Sequence, residues 1–582
     1  PADELLNVRL LDVPAAWVKL FVPELTLGKP SGGEWSVRPD GDGFVLTSTA
    51  PFVLSQVRYG TPEQALLALD ALKIEGLRAR QNSTGLEASV EKLRLVAGGA
   101  DILTLKVNAS QPTGAPMTAR AELSAQLAAL ADQPAARGQT RLSAGKAVLQ
   151  LDANVGEAMS AGAELRLTGL RADGKDLPEL VCRLDASQDA AGVIQVKLPL
   201  TVANRTPVRT SDIELSATVT PDSEVKGARV IAAKLISQIL HVPDLQAFAA
   251  IAAPTAPQPA GAAPQPEAKA KPAEAKSDAP LWAGVTGELE LALARIVHAP
   301  GIEIVDTKGR VALTKHALTL ERLGLLLGTG GGLDLSGALR WSPATGRYAV
   351  QAETKARDLA VGPLLKALNP SATAPLEGIY GLTGQITGEG ADPAEAAAGA
   401  SVELSLTGRQ GMVRALDLET NQYARAGNVV SGLAGLAGAL SGNAEISRRA
   451  SQISALNSLT RQFANLNYDE LTLSVRRGAD GVIAIDTVRL RSPSLNLQGA
   501  GSLAYQPNRT LMQQPLRLQL ELGARDNLAR DLATLGLLET PPADAAPDAY
   551  AALVEPVVLE GTLAKISTTQ FSRLLTRALS GP

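Results

Sequence analysis

The side chains that most often do acid–base, nucleophilic or metal chemistry are scarce in this chain. Its 582 residues include three histidines, His241, His298 and His316, and one cysteine, Cys182. A metal site needs such groups at ligand spacing, and a catalytic dyad needs a nucleophile with a partner base. The three histidines stand far apart, with no ligand spacing, and each reads as a surface or strand residue. Cys182 lies between Val181 and Arg183 in an alternating stretch, where it reads as a small hydrophobe rather than a nucleophile. A lone cysteine also excludes an intrachain disulfide and a cysteine metal cluster. The run Gly328-Thr329-Gly330-Gly331-Gly332 lacks the lysine and helix that follow a phosphate cradle, so it reads as a hairpin turn or bulge. No nucleophile elbow or Walker loop is present. The chain is read as a non-enzyme with no catalytic residue, no metal and no cofactor.

What remains is chemistry of surface, and one phrase recurs. Two leucines bracket one residue, then a small polar residue and a glycine follow: Leu165-Arg166-Leu167-Thr168-Gly169, Leu333-Asp334-Leu335-Ser336-Gly337, Leu404-Ser405-Leu406-Thr407-Gly408 and Leu495-Asn496-Leu497-Gln498-Gly499. Strict alternation gives a strand one apolar and one wet face. The closing glycine marks a bulge, bend or turn. Aromatic residues make up only 3% of the chain while apolar residues make up 45%. The wall built this way is aliphatic, and suits alkyl chains better than planar ligands.

The elements that carry this face are mostly strands. Leu103, Leu105, Val107 and Ala109 alternate with polar residues; so do Ala119 to Leu127, Ala147 to Val155, Ile194 to Leu200 and Ile213 to Val219. The second half repeats the pattern at Val285 to Leu293, Val311 and Leu313, Leu318 and Leu320, and a hairpin over Leu325 to Leu339. It continues at Leu471 to Val475, Val482 to Leu490, Leu495 to Leu497 and Leu516 to Leu520. Helices are expected at Pro62 to Lys73, Ala228 to Leu240, Asp244 to Ala253, Pro363 to Leu368, within about 420–463, at Asp526 to Leu538 and at Thr568 to Leu579. Pro254 to Pro280 is rich in Pro, Ala, Gln, Lys and Glu and reads as a disordered linker. The expected organisation is an N-terminal β-rich half (1–252), the linker (253–280) and a C-terminal β half (281–582) with a helical insert and a helical tail.

Net charge is -4, from 55 basic and 59 acidic residues. That balance gives no support for nucleic-acid binding or for adsorption to anionic lipid by charge alone. No run of 18 apolar residues exists, so no segment reads as a spanning helix. The sequence starts at Pro1 and is expected to be a form lacking its native N-terminus.

The second half resembles the AsmA family of bacterial envelope proteins, akin to TamB and YhdP. The resemblance rests on an ordered set: Val285-Thr286-Gly287-Glu288-Leu289 through Leu333 to Leu339, then Leu376-Glu377-Gly378, Leu382-Thr383-Gly384 and Ile386 to Gly390. Leu404 to Gly408, Gly411 to Leu418 and Phe463 to Gly501 complete it. It covers about residues 280–540, while the first half matches only in style. The resemblance implies a long, curved, mainly antiparallel β-sheet with an apolar inner groove, in the periplasm and anchored to the inner membrane by a segment absent from this chain. It implies phospholipid movement between the membranes and support of outer-membrane integrity, and leaves room for an envelope protein partner. The expected groove residues are Leu289, Leu291, Leu293, Leu333, Leu335, Leu404, Leu406, Leu495 and Leu497, and the expected ligand is a phospholipid or other acyl-chain lipid. Two rival functions stand beside it. One is an assembly factor for outer-membrane proteins that pairs client strands at its sheet edges. The other is a carbohydrate-binding or hydrolytic β-protein, which the few Trp and Tyr residues disfavour.

Overall fold

Alternation at period two folds as strand almost everywhere it occurs. In a computed structural model the chain is about 68% strand and 12% helix, arranged as open, mixed sheet that does not close into a barrel. The structure describes residues 5–13, 22, 24–61, 65–137, 141–223, 225, 227–249, 251, 279–299, 301–368, 376–414, 444–478, 481–506, 513–540, 546, 549–562, 566–567, 569–570 and 573–574. The chain divides into two units, Pro1–Ala275 with Gly284–His298, and Lys276–Ala283 with Ala299–Pro582. Six helices accompany the strands among the described residues: α1 (Leu127–Ala131), α2 (Val242–Ala249), α3 (Val361–Leu368), α4 (Pro393–Ala398), α5 (Ala444–Ala464) and α6 (Asp526–Thr534).

The first unit is a meander. Strands from Leu6–Val13 through Arg229–Ser237 pair antiparallel with their sequence neighbours. The last pairing breaks the pattern. Arg229–Ser237 runs parallel to Val285–Ala299, in register from Arg229↔Val285 to Ser237↔Leu293. The register survives a break in the first strand and resumes at Leu240↔Ile296 and His241↔Val297. Side chains pin that break: the Asp212 carboxylate accepts the N–H groups of Gln238 and Ile239, both at 2.9 Å, and Ser211 Oγ accepts the N–H of His241 at 2.8 Å. A parallel neighbour cannot be reached by a tight turn and needs a crossover of a dozen or more residues. Residues 242–284 are that crossover, and α2 begins it. Of the residues expected to form a linker, 253–280, all but 279 and 280 lie outside the described residues.

The second unit is another meander, antiparallel from Ile302–Leu313 to Ile566–Ser567. The Gly328 to Gly332 run turns a hairpin, as expected: Gly330 donates to Leu327 O and Leu327 to Gly331 O, both at 2.9 Å. Asp392 caps α4 by accepting the N–H of Glu395 at 2.7 Å, with Pro393 opening the helix. This helix lies directly on the strand Leu376–Gly390. A Cβ on Gly388 would stand 2.2 Å from Ala396 O, and one on Gly390 2.2 Å from Ala396 N. The two glycines therefore permit the approach that seals Ala396 against Trp341 and Tyr348.

Two helix expectations fail. Residues 65–73 belong to the strand Ala65–Asn82, paired along one edge with Gly43–Gly60 and, from Ala71 onward, along the other with Gly85–Ala97. Ala228 to Leu240 contains the strand Arg229–Ser237, paired on both sides. In each the apolar residues fall on both faces, so period two is hidden and the residues resemble helix formers; pairing with neighbouring strands overrides that local preference. The expected helices at Asp244, Pro363 and Asp526 appear as α2, α3 and α6. The insert appears as α5, with residues 420–443 outside the described residues. So are 568, 571–572 and 575–579 of the expected C-terminal helix. Of the four repeated glycines, Gly169 has φ +60 beside a register shift, as a bulge requires. Gly408 instead makes room, since a Cβ there would stand 2.8 Å from the Tyr380 ring.

Asp244 ties the crossover to the sheet. It is 2% exposed, and Arg209 holds it through two hydrogen bonds of 2.7 and 2.6 Å while Asn204 adds one of 3.0 Å. Burial alone would raise its carboxyl pKa, but the hydrogen bonds from Arg209 and Asn204 outweigh burial and hold it below the usual range. A carboxyl whose folded pKa is depressed contributes stability that is whole above the unfolded value of about 3.9 and is lost as pH falls through the lower folded value. Thermal unfolding of Asp244→Asn is therefore expected to start from a lower midpoint at pH 7 and to lose less than wild type between pH 4 and pH 2. Parallel pH profiles for the two proteins would contradict this clamp.

Candidate functional site

Register converts alternation along each strand into continuous rows across the sheet. In the first unit one row reads Leu105, Leu123, Leu149, Leu165, Cys182, Leu200 and Ile213, each paired with the next. Two residues along the strands, Leu198, Leu215, Leu235 and Leu291 form another. A third row is smaller: Ala109, Ala119, Ala153, Ala161, Ala186, Val196, Ala217, Ala233 and Leu289. Nine strands at about 4.8 Å spacing make this row roughly 38 Å long. All these positions share one face because side-chain direction has period two.

The same register loads the opposite face with charge. Arg120 pairs with Asp152 at 2.9 Å, Lys197 with Glu214 at 3.2 Å and Lys106 with Glu122 at 3.9 Å. Glu164 takes hydrogen bonds from Arg166 and Arg183, and these hold its carboxyl below the ordinary range. Such cross-strand pairs stabilise a solvated face.

The apolar face is not sealed along its length. α1 covers one strand end, where Leu54, Val57, Leu69 and Ile102 are buried and pack with Ala129 and Leu130. Away from it, Leu149, Leu165, Leu184, Leu198, Leu200, Leu215, Leu235 and Leu291 are only half-buried, and Leu151 is 40% exposed. Core leucines in a closed sandwich would be buried by an opposing layer.

The second unit repeats the arrangement with one end closed. Leu325, Leu333, Ala356, Leu382, Leu406, Leu473, Val488, Gly499, Leu520 and Val557 form one row. On the wet side Asp334 binds Arg322 at 2.7 Å and Arg357 at 3.2 Å. The hydrogen bond from Arg322 is the main cause of its lowered pKa. At the closed end α5 and α6 lie over the sheet. Leu528 and Leu532, one turn apart on α6, are 2% and 0% exposed, and Leu459 and Phe463 of α5 are 0% and 2% exposed. They share a core with Leu490, Leu495, Leu497, Leu520 and Leu522. Tyr380 and Tyr468 belong to the same core, with hydroxyls hydrogen-bonded to each other and both reaching Glu377 O, at 3.2 and 3.1 Å. Burial, joined by that hydroxyl pairing, pushes the Tyr380 pKa up, so the pair stays neutral.

The expected groove residues therefore separate. Leu289, Leu291 and Leu293 lie half-buried on the open face of the first unit, and Leu333, Leu335 and Leu404 half-buried on that of the second. Leu406 is half-buried at the edge of the α5–α6 core. Leu495 and Leu497 are corrected: at 1% and 7% exposed they are core residues beneath helices. A period-two pattern reports which residues share a face and is silent about which face a distant helix covers. Leu289 and Leu291 end two of the first-unit rows, whose other members, such as Leu149, Leu165 and Leu200, are not among the expected groove residues although their alternation is legible. Cys182 is half-buried within a leucine row, and His316 stacks on Trp341 with ring centroids 5.9 Å apart. Among the described residues no group of three His, Cys, Asp or Glu side chains has metal-site geometry, and no helix is long and apolar enough to cross a membrane.

With the faces defined, comparison with known families decides their kinship: the AsmA family model matches residues 70–447, more than half of the chain. The chain belongs to the AsmA family. The match reaches well into the first half and ends before the segment Phe463 to Gly501, which resembles the family's closing part. AsmA proteins are generally not catalytic. No curated protein matches the chain.

The open and covered stretches differ in what they lose on truncation. Leu495→Ala, beneath α5, is expected to cost about 2–5 kcal/mol. Leu291→Ala and Leu335→Ala, on the open stretches, are expected to cost about 1 kcal/mol each. Equal losses at all three positions in denaturant unfolding would show the open faces to be packed.

Proposed function

We propose that this AsmA protein holds lipid acyl chains on its open apolar faces, in the periplasm at the inner membrane, and supports phospholipid transport between the membranes and outer-membrane integrity. The reading rests on one observation: rows of leucine and alanine cross many strands and remain half-exposed, while the opposite face is laced with ion pairs. Moving a 16-carbon chain into water costs on the order of 13 kcal/mol at about 0.8 kcal/mol per methylene. An aliphatic track offsets most of that cost while the headgroup stays wet. Non-directional packing on Leu and Ala also lets a chain slide, because no hydrogen bond must break at each step. Nothing in this role calls for a catalytic residue or cofactor.

A second reading has one observation in its favour. The edge strand Leu6–Val13 pairs with Leu25–Asp40 on one side, and its Leu6 and Leu11 are 55% and 74% exposed. Such an edge suits pairing with a client strand of an outer-membrane protein.

The lipid reading is tested by native mass spectrometry of the purified chain. Wild type is expected to carry phospholipid, and Leu291→Asp with Leu335→Asp to lose most of it while keeping its strand content. Full lipid occupancy in the double variant, or crosslinking to nascent outer-membrane proteins with no lipid in wild type, would contradict it.

A further inference from the structure

The first unit holds a cavity of about 720 Å³ where the segment after α1 meets the strand ends. That volume lies in the ordinary range of small-molecule sites, about 300–1,000 Å³. Its apolar wall is Leu27, Leu69, Ile102 and Ala129, which belong to the core cluster at the end of the aliphatic face. Its polar wall carries four charges, Arg58, Arg137, Asp70 and Asp132.

The wall is built rather than loose. The strand Ala65–Asn82 pairs with Gly85–Ala97 only from Ala71 onward. Before that point the chain after α1 supplies the missing partners: Gln133, 8% exposed, accepts the N–H of Ala68 at 2.9 Å, and Ala135 donates to Leu66 O at 3.0 Å. Arg137 is steered by its bond to Asp132 O at 3.0 Å, and Asp70 by accepting the N–H of Gly99 at 2.9 Å.

Many arginines and lysines of this unit pair with carboxylates across strands, as in Arg120–Asp152 and Lys197–Glu214. Among the described residues no ion pair within 4.0 Å joins the two arginines to the two aspartates of the cavity. Two cations and two anions face one space, and that space continues into an aliphatic wall.

We infer that this cavity binds the zwitterionic headgroup of a phospholipid. Arg58 and Arg137 take the phosphate, whose oxygens match the guanidinium fork. Asp70 and Asp132 take the ammonium, and the half-buried Leu27 and Ala129 receive the first carbons of the acyl chains. The inference rests on the lipid reading above and gives it an entry point and a headgroup preference.

The test compares the whole chain with Arg58→Gln/Arg137→Gln, both exposed positions, whose change is expected to leave the unfolding midpoint unaltered. Each protein is incubated with vesicles containing phosphatidylethanolamine and diacylglycerol of the same acyl chains, and bound lipid is read by native mass spectrometry. The variant is expected to lose phosphatidylethanolamine at least tenfold relative to diacylglycerol. Asp70→Asn/Asp132→Asn is expected to shift binding toward phosphatidylglycerol, which lacks the ammonium. An unchanged lipid ratio in the arginine variant overturns the headgroup site while leaving the aliphatic face intact. Absence of both lipids from wild type sinks the lipid reading and this site with it. Acyl-free glycerophosphoethanolamine binding as tightly as the lipid would make the ligand a soluble zwitterion and overturn the membrane-lipid assignment.

Discussion

Register is the constraint on which everything else rests. Side chains alternate with period two, so a slip of one residue in any pairing moves its leucines to the wet face and its charges to the dry one. The rows stay unbroken because both faces oppose a slip. Moving Leu165 outward would expose it and at the same time drive Glu164 and Arg166 onto an aliphatic surface. A buried unpaired charge costs far more than a half-exposed leucine gains, so the ion-pair ladder enforces the apolar rows.

What the helices do follows from what the sheet leaves open. In the second unit α5 and α6 complete a true core over Leu490, Leu495, Leu497, Leu520 and Leu522. Even there the cover is partly polar, with Gln452, Asn457 and Thr460 of α5 each under 9% exposed. At the opposite strand end α4 and the Trp341–Tyr348 pair close the rim. In the first unit α1 plays a similar part at one end. Between these closures the sheet has no second layer among the described residues. A face that is aliphatic, accessible and bounded by helical caps can accept a guest without the fold depending on it.

Much of this was legible in the sequence because alternation is a local signal. Ala119 to Leu127 and Leu404 to Leu406 read as half-buried strands and fold as such, except that Leu127 opens α1. The failures have physical causes. Ala65 to Lys73 and Arg229 to Ser237 are apolar on both faces, so their period is masked until pairing with neighbouring strands imposes it. Leu495 and Leu497 looked identical to Leu333 and Leu335, since nothing in a pentapeptide reports that α6, about 30 residues on, will fold over it. The parallel pairing of Arg229–Ser237 with Val285–Ala299 joins positions 56 apart, and no local pattern encodes such a step. The charged cavity was invisible for the same reason, since Arg58, Asp70 and Arg137 meet only through tertiary structure.

The central claim is that the open rows touch acyl chains. Cys182 is the chain's single cysteine and stands between Leu165 and Leu200 in such a row, so a fluorophore attached there reports directly. The measurement is quenching of this label by phospholipids brominated along the acyl chain, against aqueous iodide as the polar control. The account predicts strong quenching by the brominated chains and protection from iodide once lipid is loaded. Undiminished iodide quenching with no effect of bromine would show that no alkyl chain reaches the face.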